Sequence, residues 1–548
     1  MTTGSNTASP RLAVVRPTTA VSPPASSPWW FRLLMPSITD VIFLLLLLAL
    51  TYGGLQQRLL GDAGTGWHIR AGQQMLATHA IPRLDSFSYT MPGHPWFAWE
   101  WLYDLAAGII CSRMGLNGVV FLSALLIAGT FAGLFRKAVA RNRYPLIAAC
   151  LAVLAIFASS IHFLARPHLF TWAFTLIFWD VLESATAPGS EPGLLRLYWI
   201  PALMLFWVNI HGGFLVGLAL VGLYFLGAVW ETLAAHEPSE STSAKNTARR
   251  LGFVGVLAGV ATFLNPYGYR LWLHIYVYLG SRFYMNNIQE FLSPNFHGAA
   301  EKFFAVLLLL SLLGLAVNRS RLRASHLLVI LFSVYFGLYA ARNIPIASIL
   351  LLLTVTPLLA GAVERAAAAE ELAPRARNLF LRWKNFAARM AGTELGLRGH
   401  LLPLAAVVVT FVVCMNGGRL GSRPLMRSHF DGKRFPVAAA DFLAARRIRS
   451  QVFNPDYWGG YLIYRLGPGY KVFMDDRHDF YGEPFVRDYV KVKDIQPGWQ
   501  EVLDKQKVNW VLIPPEWTLA NALKELPQWR VLYDDHRAIL FARVSPIS

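Results

Sequence analysis

Apolar runs long enough to approach the width of a bilayer recur about eleven times in this 548-residue chain, and the loops between them alternate in kind. A helix needs about 20 apolar residues to cross hydrocarbon, with a range of roughly 17–25. By that measure spans are predicted near residues 39–56, 116–135, 145–165, 168–184, 196–210, 213–232, 251–265, 303–317, 325–341, 344–363 and 401–415. The expected fold class is therefore a polytopic α-helical membrane protein. One set of loops is basic: Arg136, Lys137, Arg141 and Arg143, then Lys245, Arg249 and Arg250, then Arg319, Arg321 and Arg323, then the run from Arg365 to Arg398. The other set carries short polar motifs: Asp62 and His68, Arg166 and His168, Asn209 and His211, Asn265, Glu290, and Arg342 with Asn343. Basic loops stay in the cytoplasm, so the motifs face outward. This orientation requires residues 98–113 (AWEWLYDLAAGIICSR), apolar on one face but carrying Glu100 and Asp104, to lie in the interface rather than cross. Polar groups placed only for packing have no reason to choose one side, whereas a site does.

A chain with 55% hydrophobic and 15% charged residues is too apolar for a soluble protein of this length. The 50 Lys and Arg exceed the 32 Asp and Glu, for a net charge of +18. Most of these bases sit between apolar runs, where they orient the spans and meet anionic membrane lipids, so no nucleic-acid partner is expected. Cys111, Cys150 and Cys414 lie in apolar helical stretches and form no disulfide framework or Cys metal site.

Residues 1–38 open with a Ser-, Thr- and Pro-rich stretch lacking a cleavage site and read as a disordered cytoplasmic tail. Residues 39–416 form the transmembrane region, with an outer loop at 57–115. From residue 430 to 548 the composition becomes that of a small α/β domain. Runs such as QVFN, YLIYRL, YKVFMD, VNWVLI, RVLYD and AILFARV read as strands between helices near 436–448, 484–494 and 517–525. With the N terminus inside, eleven spans put this domain outside the cytoplasmic (inner) membrane, which is the periplasm if the cell is Gram-negative.

The outer loop begins GDAGTGWH, in which Gly61, Gly64 and Gly66 allow a tight turn that holds the Asp62 carboxylate at the membrane surface. A carboxylate so placed suits a general base; Asp62 is the first candidate and Asp85, after Pro82, the second. Asp62 equally suits a cap for the following helix. Trp67, Trp96, Trp99 and Trp101 fit either stacking platforms for sugar rings or an aromatic belt. Arg166, His168, His211 and Arg342, at outward helix ends, suit a phosphate anion; an Arg there also suits a snorkelling anchor. WVNIHGG gathers Asn209, His211 and two glycines at a junction that is also a helical hairpin. Glu290 is a second carboxylate for orienting an acceptor or holding a divalent cation, although no tight ligand spacing marks a metal site. Near the C terminus, NPDYWGGYLIYRL and MDDRHDFYG cluster Asp456, Trp458, Asp475, Asp476, Arg477, His478, Asp479 and Tyr481. They read as strand-end turns, with a saccharide site as the alternative.

An outward loop that opens with an acid, continues as an amphipathic helix, breaks at a proline and returns through an aromatic apolar helix resembles the GT-C superfamily of integral membrane glycosyltransferases. The likeness is to the group containing protein mannosyltransferases, aminoarabinose transferases and RgtA/B/C/D-like bacterial proteins. ARPHLFTW at 165–172, WVNIHGGFLVG at 207–217, LNPYGYRLW at 264–272, QEFLSPNFH at 289–297, ARNIP at 341–345 and YWGGYLIYRL at 457–466 resemble a bacterial branch of it. The resemblance implies transfer of a sugar from a polyprenyl-phosphate donor to an envelope glycan, lipid or protein on the extracytoplasmic side, with inversion. It implies Asp62 and Asp85 as catalytic candidates, and Arg166, His168, His211 and Arg342 on the donor phosphate. His68, Trp67, Asn209, Glu290 and Asn343 would bind substrate. Two positions depart from the pattern: Ala63 stands where a second acid is usual, and AWEWL, with Glu100, replaces a Lys-Pro-Pro string. A scaffold that keeps the fold without activity is one alternative. A lipid-linked saccharide flippase is another, and it predicts charged or broken segments at the bilayer midplane, where these spans are apolar.

Overall fold

The computed structural model describes residues 28–187, 195–319, 322–397 and 399–546. Residues 1–27 of the expected tail fall outside the described residues. All eleven apolar runs are helical, as Ile38–Thr51, part of Trp101–Asn142, Pro145–Ser159, His168–Ala185, Ile200–Ile210, Phe214–Leu233, Pro238–Ala261, Ala299–Val317, Ala324–Tyr339, Ile344–Ala368 and Leu401–Met415. Among the described residues six helices are long and apolar enough to cross a membrane, or seven if the bent pair Pro374–Gly396 and Leu401–Met415 counts as one. The lower number has a physical cause. Ile200–Ile210 and Ala324–Tyr339 have 11 and 16 residues, and His168–Ala185 carries Asp180 and Glu183. The bundle buries Trp172, Trp179, Trp207, Phe131 and Phe135 and leaves Leu45, Val153, Val256, Leu309 and Leu312 bare on its outside, as lipid contact requires and water would not allow over such an area.

Trp101–Asn142 is one hydrogen-bonded run with a break at Gly115 (φ 61°, ψ −160°), a conformation open to glycine. The break separates the segment expected in the interface from the span that follows. The first half packs on the outer-loop helix Gly64–Thr78 at backbone distance, where a Cβ on Gly72 or Gly108 would collide with the facing main chain.

The helix ends segregate by chemistry. His168–Ala185 starts at Arg166 and His168 and ends at Asp180 and Glu183, which pair with Lys137, Arg141 and Arg323. Ile344–Ala368 starts at Arg342 and Asn343 and ends at Arg365, which donates to the Val317 carbonyl. The polar motifs and the basic clusters thus occupy opposite ends of the bundle.

Near the C terminus lies a four-stranded sheet in the order Val452–Phe453, Trp510–Ile513, Ile539–Arg543, Trp529–Asp534, the first pair parallel and the others antiparallel. Two of the six expected strands are absent. YLIYRL lies in the helix Asp456–Leu466, which starts after Pro455 with an acid in its first turn and ends with Arg465, charges that suit the helix dipole. YKVFMD forms no ladder; Val472 makes an isolated bridge to Ser88. Gly459 and Gly460, expected in a bend, lie inside that helix. A Cβ on Gly460 would strike the Ala63 carbonyl, and one on Gly66 would strike Gly460. The outer-loop helix and this C-terminal helix therefore touch main chain to main chain, and one hydrophobic cluster runs from the bundle into Trp458, Tyr461, Leu462 and Ile463.

Candidate functional site

A cavity of about 1320 Å³ lies between the motif-bearing helix ends, the outer loop and the C-terminal region. Asp62, Trp67, Arg166, His168, His211, Glu290, Arg342 and Asn343 line it, so eight of the eleven residues singled out from the sequence converge.

Asp62 occupies the turn before Gly64–Thr78. Its Oδ1 accepts from the Gly64 N–H at 2.7 Å and from Arg166 Nη1 at 2.8 Å, so the carboxylate serves both the turn and an ion pair. The same Arg166 nitrogen donates to Asp476 Oδ2 at 2.8 Å, and the Trp67 indole N–H donates to Asp476 Oδ1 at 2.9 Å. Burial lifts the Asp476 carboxyl to about 6 against the pull of Arg166. Two carboxylates thus share one guanidinium, and a Cβ at Gly64 would collide with both Arg166 and Asp476.

On another wall Arg342 pairs with Glu290 at 3.4 Å and lies over the Phe291 ring. Burial pushes the Glu290 carboxyl up, but Arg342, His162 and Arg166 outweigh it and hold the group down at about 2. His168 Nε2 donates to the His162 carbonyl at 2.9 Å. His211 Nδ1 accepts from the Gly213 N–H at 2.9 Å, which places its ring proton on Nε2. Burial, with Arg342, keeps His211 well below the usual imidazole range, and therefore neutral. Asn343 donates from Nδ2 to the Phe336 carbonyl at 2.9 Å. Arg434 and Lys493 also line the cavity, together with Trp96, Phe97, Trp99 and Tyr278.

Three expected residues lie outside the cavity lining. Asp85 is a correction in kind: it is buried, accepts from the Phe87 and Ser88 N–H groups and the Ser88 hydroxyl, and pairs with Arg477 Nη2 at 2.9 Å. It clamps the outer loop to the C-terminal region, with Asp475 on the other side of the same guanidinium. Asn209 accepts from the Trp101 indole at 2.8 Å and donates to the Leu205 and Leu264 carbonyls, which ties helix ends together. His68 is fully buried behind the wall, stacked on Trp67 at 3.6 Å and joined through Nδ1 to Asp104 Oδ1 at 2.5 Å.

Two residues gain weight that the sequence reading did not give them. Asp476, read as part of a turn, completes the Arg166 pair from the MDDRHDFYG string. Glu100, noted as a departure in AWEWL, lines the cavity next to His211. Among the described residues no group of three or more His, Cys, Asp or Glu side chains is placed to hold a metal ion. The position between Asp62 and Asp476, where a cation would bridge, is filled by Arg166.

Comparison with solved structures agrees with the architecture. The chain aligns over 93% of its length with the Archaeoglobus fulgidus oligosaccharyltransferase tethered to an acceptor peptide, covering 74% of that chain at a TM-score of 0.52 and 11% identity. It aligns over 93% of its length with ArnT from Cupriavidus metallidurans bound to undecaprenyl phosphate, covering 97% of that chain at a TM-score of 0.44 and 14% identity. No family model and no curated protein sequence matches the chain. The chain shares its fold with that oligosaccharyltransferase.

Proposed function

We propose that this chain, with its GT-C fold, is a membrane glycosyltransferase that moves a sugar from a polyprenyl-phosphate donor to an envelope glycan, lipid or protein outside the cytoplasmic membrane. The observation that carries the reading is the convergence of Asp62, Arg166, His211, Glu290 and Arg342 from distant helices on one aromatic-lined cavity at a single end of the bundle. Basic clusters mark the other end, and basic ends stay in the cytoplasm. Nucleotide sugars are confined to the cytoplasm, and among the described residues no Gly-rich nucleotide loop follows a strand, which favours a lipid phosphate as the leaving group. Arg342 supports that phosphate, while the His168 N–H is taken by the His162 carbonyl and the His211 N–H faces Glu100. Arg166 has its charge matched by Asp62 and Asp476, so it serves chiefly to fix those carboxylates. Asp62 Oδ2 carries no hydrogen bond among the described residues and faces the site as an acceptor for the hydroxyl that attacks. Direct attack inverts the anomeric centre. Loss of positioned charge of this kind costs about 10²–10³-fold in rate.

Envelope glycans and lipids of a deletion strain, analysed by mass spectrometry after complementation, test the reading. The wild-type gene restores the missing sugar. Asp62→Asn inserts to the same level and does not. Restoration by Asp62→Asn favours the scaffold that keeps this fold without its chemistry.

A further inference from the structure

Glu100 stands apart from the other cavity carboxylates. Among the described residues Asp62 and Asp476 share Arg166, Glu290 has Arg342, and Asp104, Asp456 and Asp479 each pair with one histidine, whereas Glu100 faces two. His211 Nε2 lies 3.6 Å from Oε1 and His68 Nε2 lies 3.8 Å from Oε2, so an imidazole faces each oxygen. His211 has its proton on Nε2, aimed at the carboxyl. His68 faces the other oxygen: its Nδ1 is in short contact with Asp104, and its Nε2 is buried without a hydrogen-bond partner. A carboxyl held between two buried imidazoles, one of them with an unpartnered ring nitrogen, is a polar group placed for more than packing.

We propose that Glu100 is the proton-exchanging carboxyl of the cavity, taking the proton of the attacking hydroxyl. The assignment rests on the transferase reading and divides the labour within it: Asp62 orients the hydroxyl, and Glu100 receives its proton. In the step, the acceptor O–H bond breaks and the proton goes to a Glu100 oxygen. The acceptor oxygen bonds to the anomeric carbon as the bond from that carbon to the phosphate oxygen breaks. The electron pair of that bond leaves with the polyprenyl phosphate. The charges facing Glu100 are Arg166 and Arg342, which lower its affinity for a proton, and Asp479 and Asp476, which raise it; His68, His211 and Asp104 complete its surroundings. Burial outweighs the arginines and pushes the carboxyl up to about 8, close to a working pH, where a general base acts best. The base form prevails above that value, so the rate rises with pH through about 8.

Infrared difference spectra of the purified full chain in lipid nanodiscs, titrated with buffer alone, read the proton directly. Wild type and Asp62→Asn show a carboxylic-acid C=O band lost with a midpoint near pH 8, and Glu100→Gln lacks it. Release of polyprenyl phosphate from polyprenyl-phosphate monosaccharides in the same discs falls by about 10²–10⁴-fold in Glu100→Gln and loses its rise with pH. Glu100→Asp recovers part of the rate. Identical spectra for wild type and Glu100→Gln, or a Glu100→Gln rate and pH profile equal to wild type, overturn the assignment. A wild-type protein that shows the band but releases no phosphate supports the proton site and overturns the transferase reading.

Discussion

At the scale of single residues, burial and partner decide what each ionisable group does. Glu100 titrates near 4.5 when exposed and near 8 in the folded chain. Between those values the unfolded chain sheds a proton that the folded chain keeps, so stability falls as pH rises, by at most about 1.4 kcal/mol per unit. Apparent melting temperatures measured from pH 5 to 8 should decline more steeply for wild type than for Glu100→Gln; parallel curves would show that the carboxyl is not held protonated. Arg477 gives a second test. Its guanidinium joins Asp85 and Asp475 in a buried cluster, and Arg477→Met leaves two carboxylates facing each other without a cation. A loss of about 3–5 kcal/mol is expected, read as earlier denaturation and faster proteolysis of the C-terminal region. These two residues also mark what the sequence conceals. Asp62 was legible because glycines frame it beside a span. Asp85 has the same chemistry in a similar loop, and only its distant partner Arg477 reveals it as a clamp. Asp476 and Glu100 were visible as letters, but their roles depend on Arg166, His68 and His211, which sit elsewhere in the chain.

At the scale of elements, close backbone approach does the positioning. Gly72 and Gly108 bring Gly64–Thr78 against the first half of Trp101–Asn142, and this contact sets the distance between His68 and Asp104. A side chain at position 72 would press on the Asp104 main chain. Gly72→Ala is expected to cost about 1–3 kcal/mol and to shift the midpoint of the Glu100 band, which infrared titration can follow; an unmoved midpoint would separate this packing from the carboxyl's surroundings. The apolar runs declared the helices themselves, because a stretch of apolar residues between basic loops has few other ways to fold in lipid. YLIYRL was misread as a strand for a related reason: a short apolar run carries no period that distinguishes strand from helix. The Asn-Pro-Asp that precedes it held the better signal.

At the scale of the whole molecule, the segregation of helix ends turns orientation into a single measurable choice. In a chain with Cys111, Cys150 and Cys414 replaced by Ser, a cysteine at Arg530 should react with a membrane-impermeant maleimide on intact cells. One at Arg382 should react only after permeabilisation. The opposite labelling would put the cavity in the cytoplasm, within reach of nucleotide sugars, and would remove the case for a lipid donor. Neither wall of the cavity is complete alone, since the indole of Trp67 and the carboxylate of Asp476 meet across 409 residues of sequence. At ~5–20 residues per second of synthesis, the first loop waits roughly 20–80 s for its partner to emerge. Under the proposed function, a half-made chain holds only one wall of the site and gains its chemistry when the C-terminal region is complete.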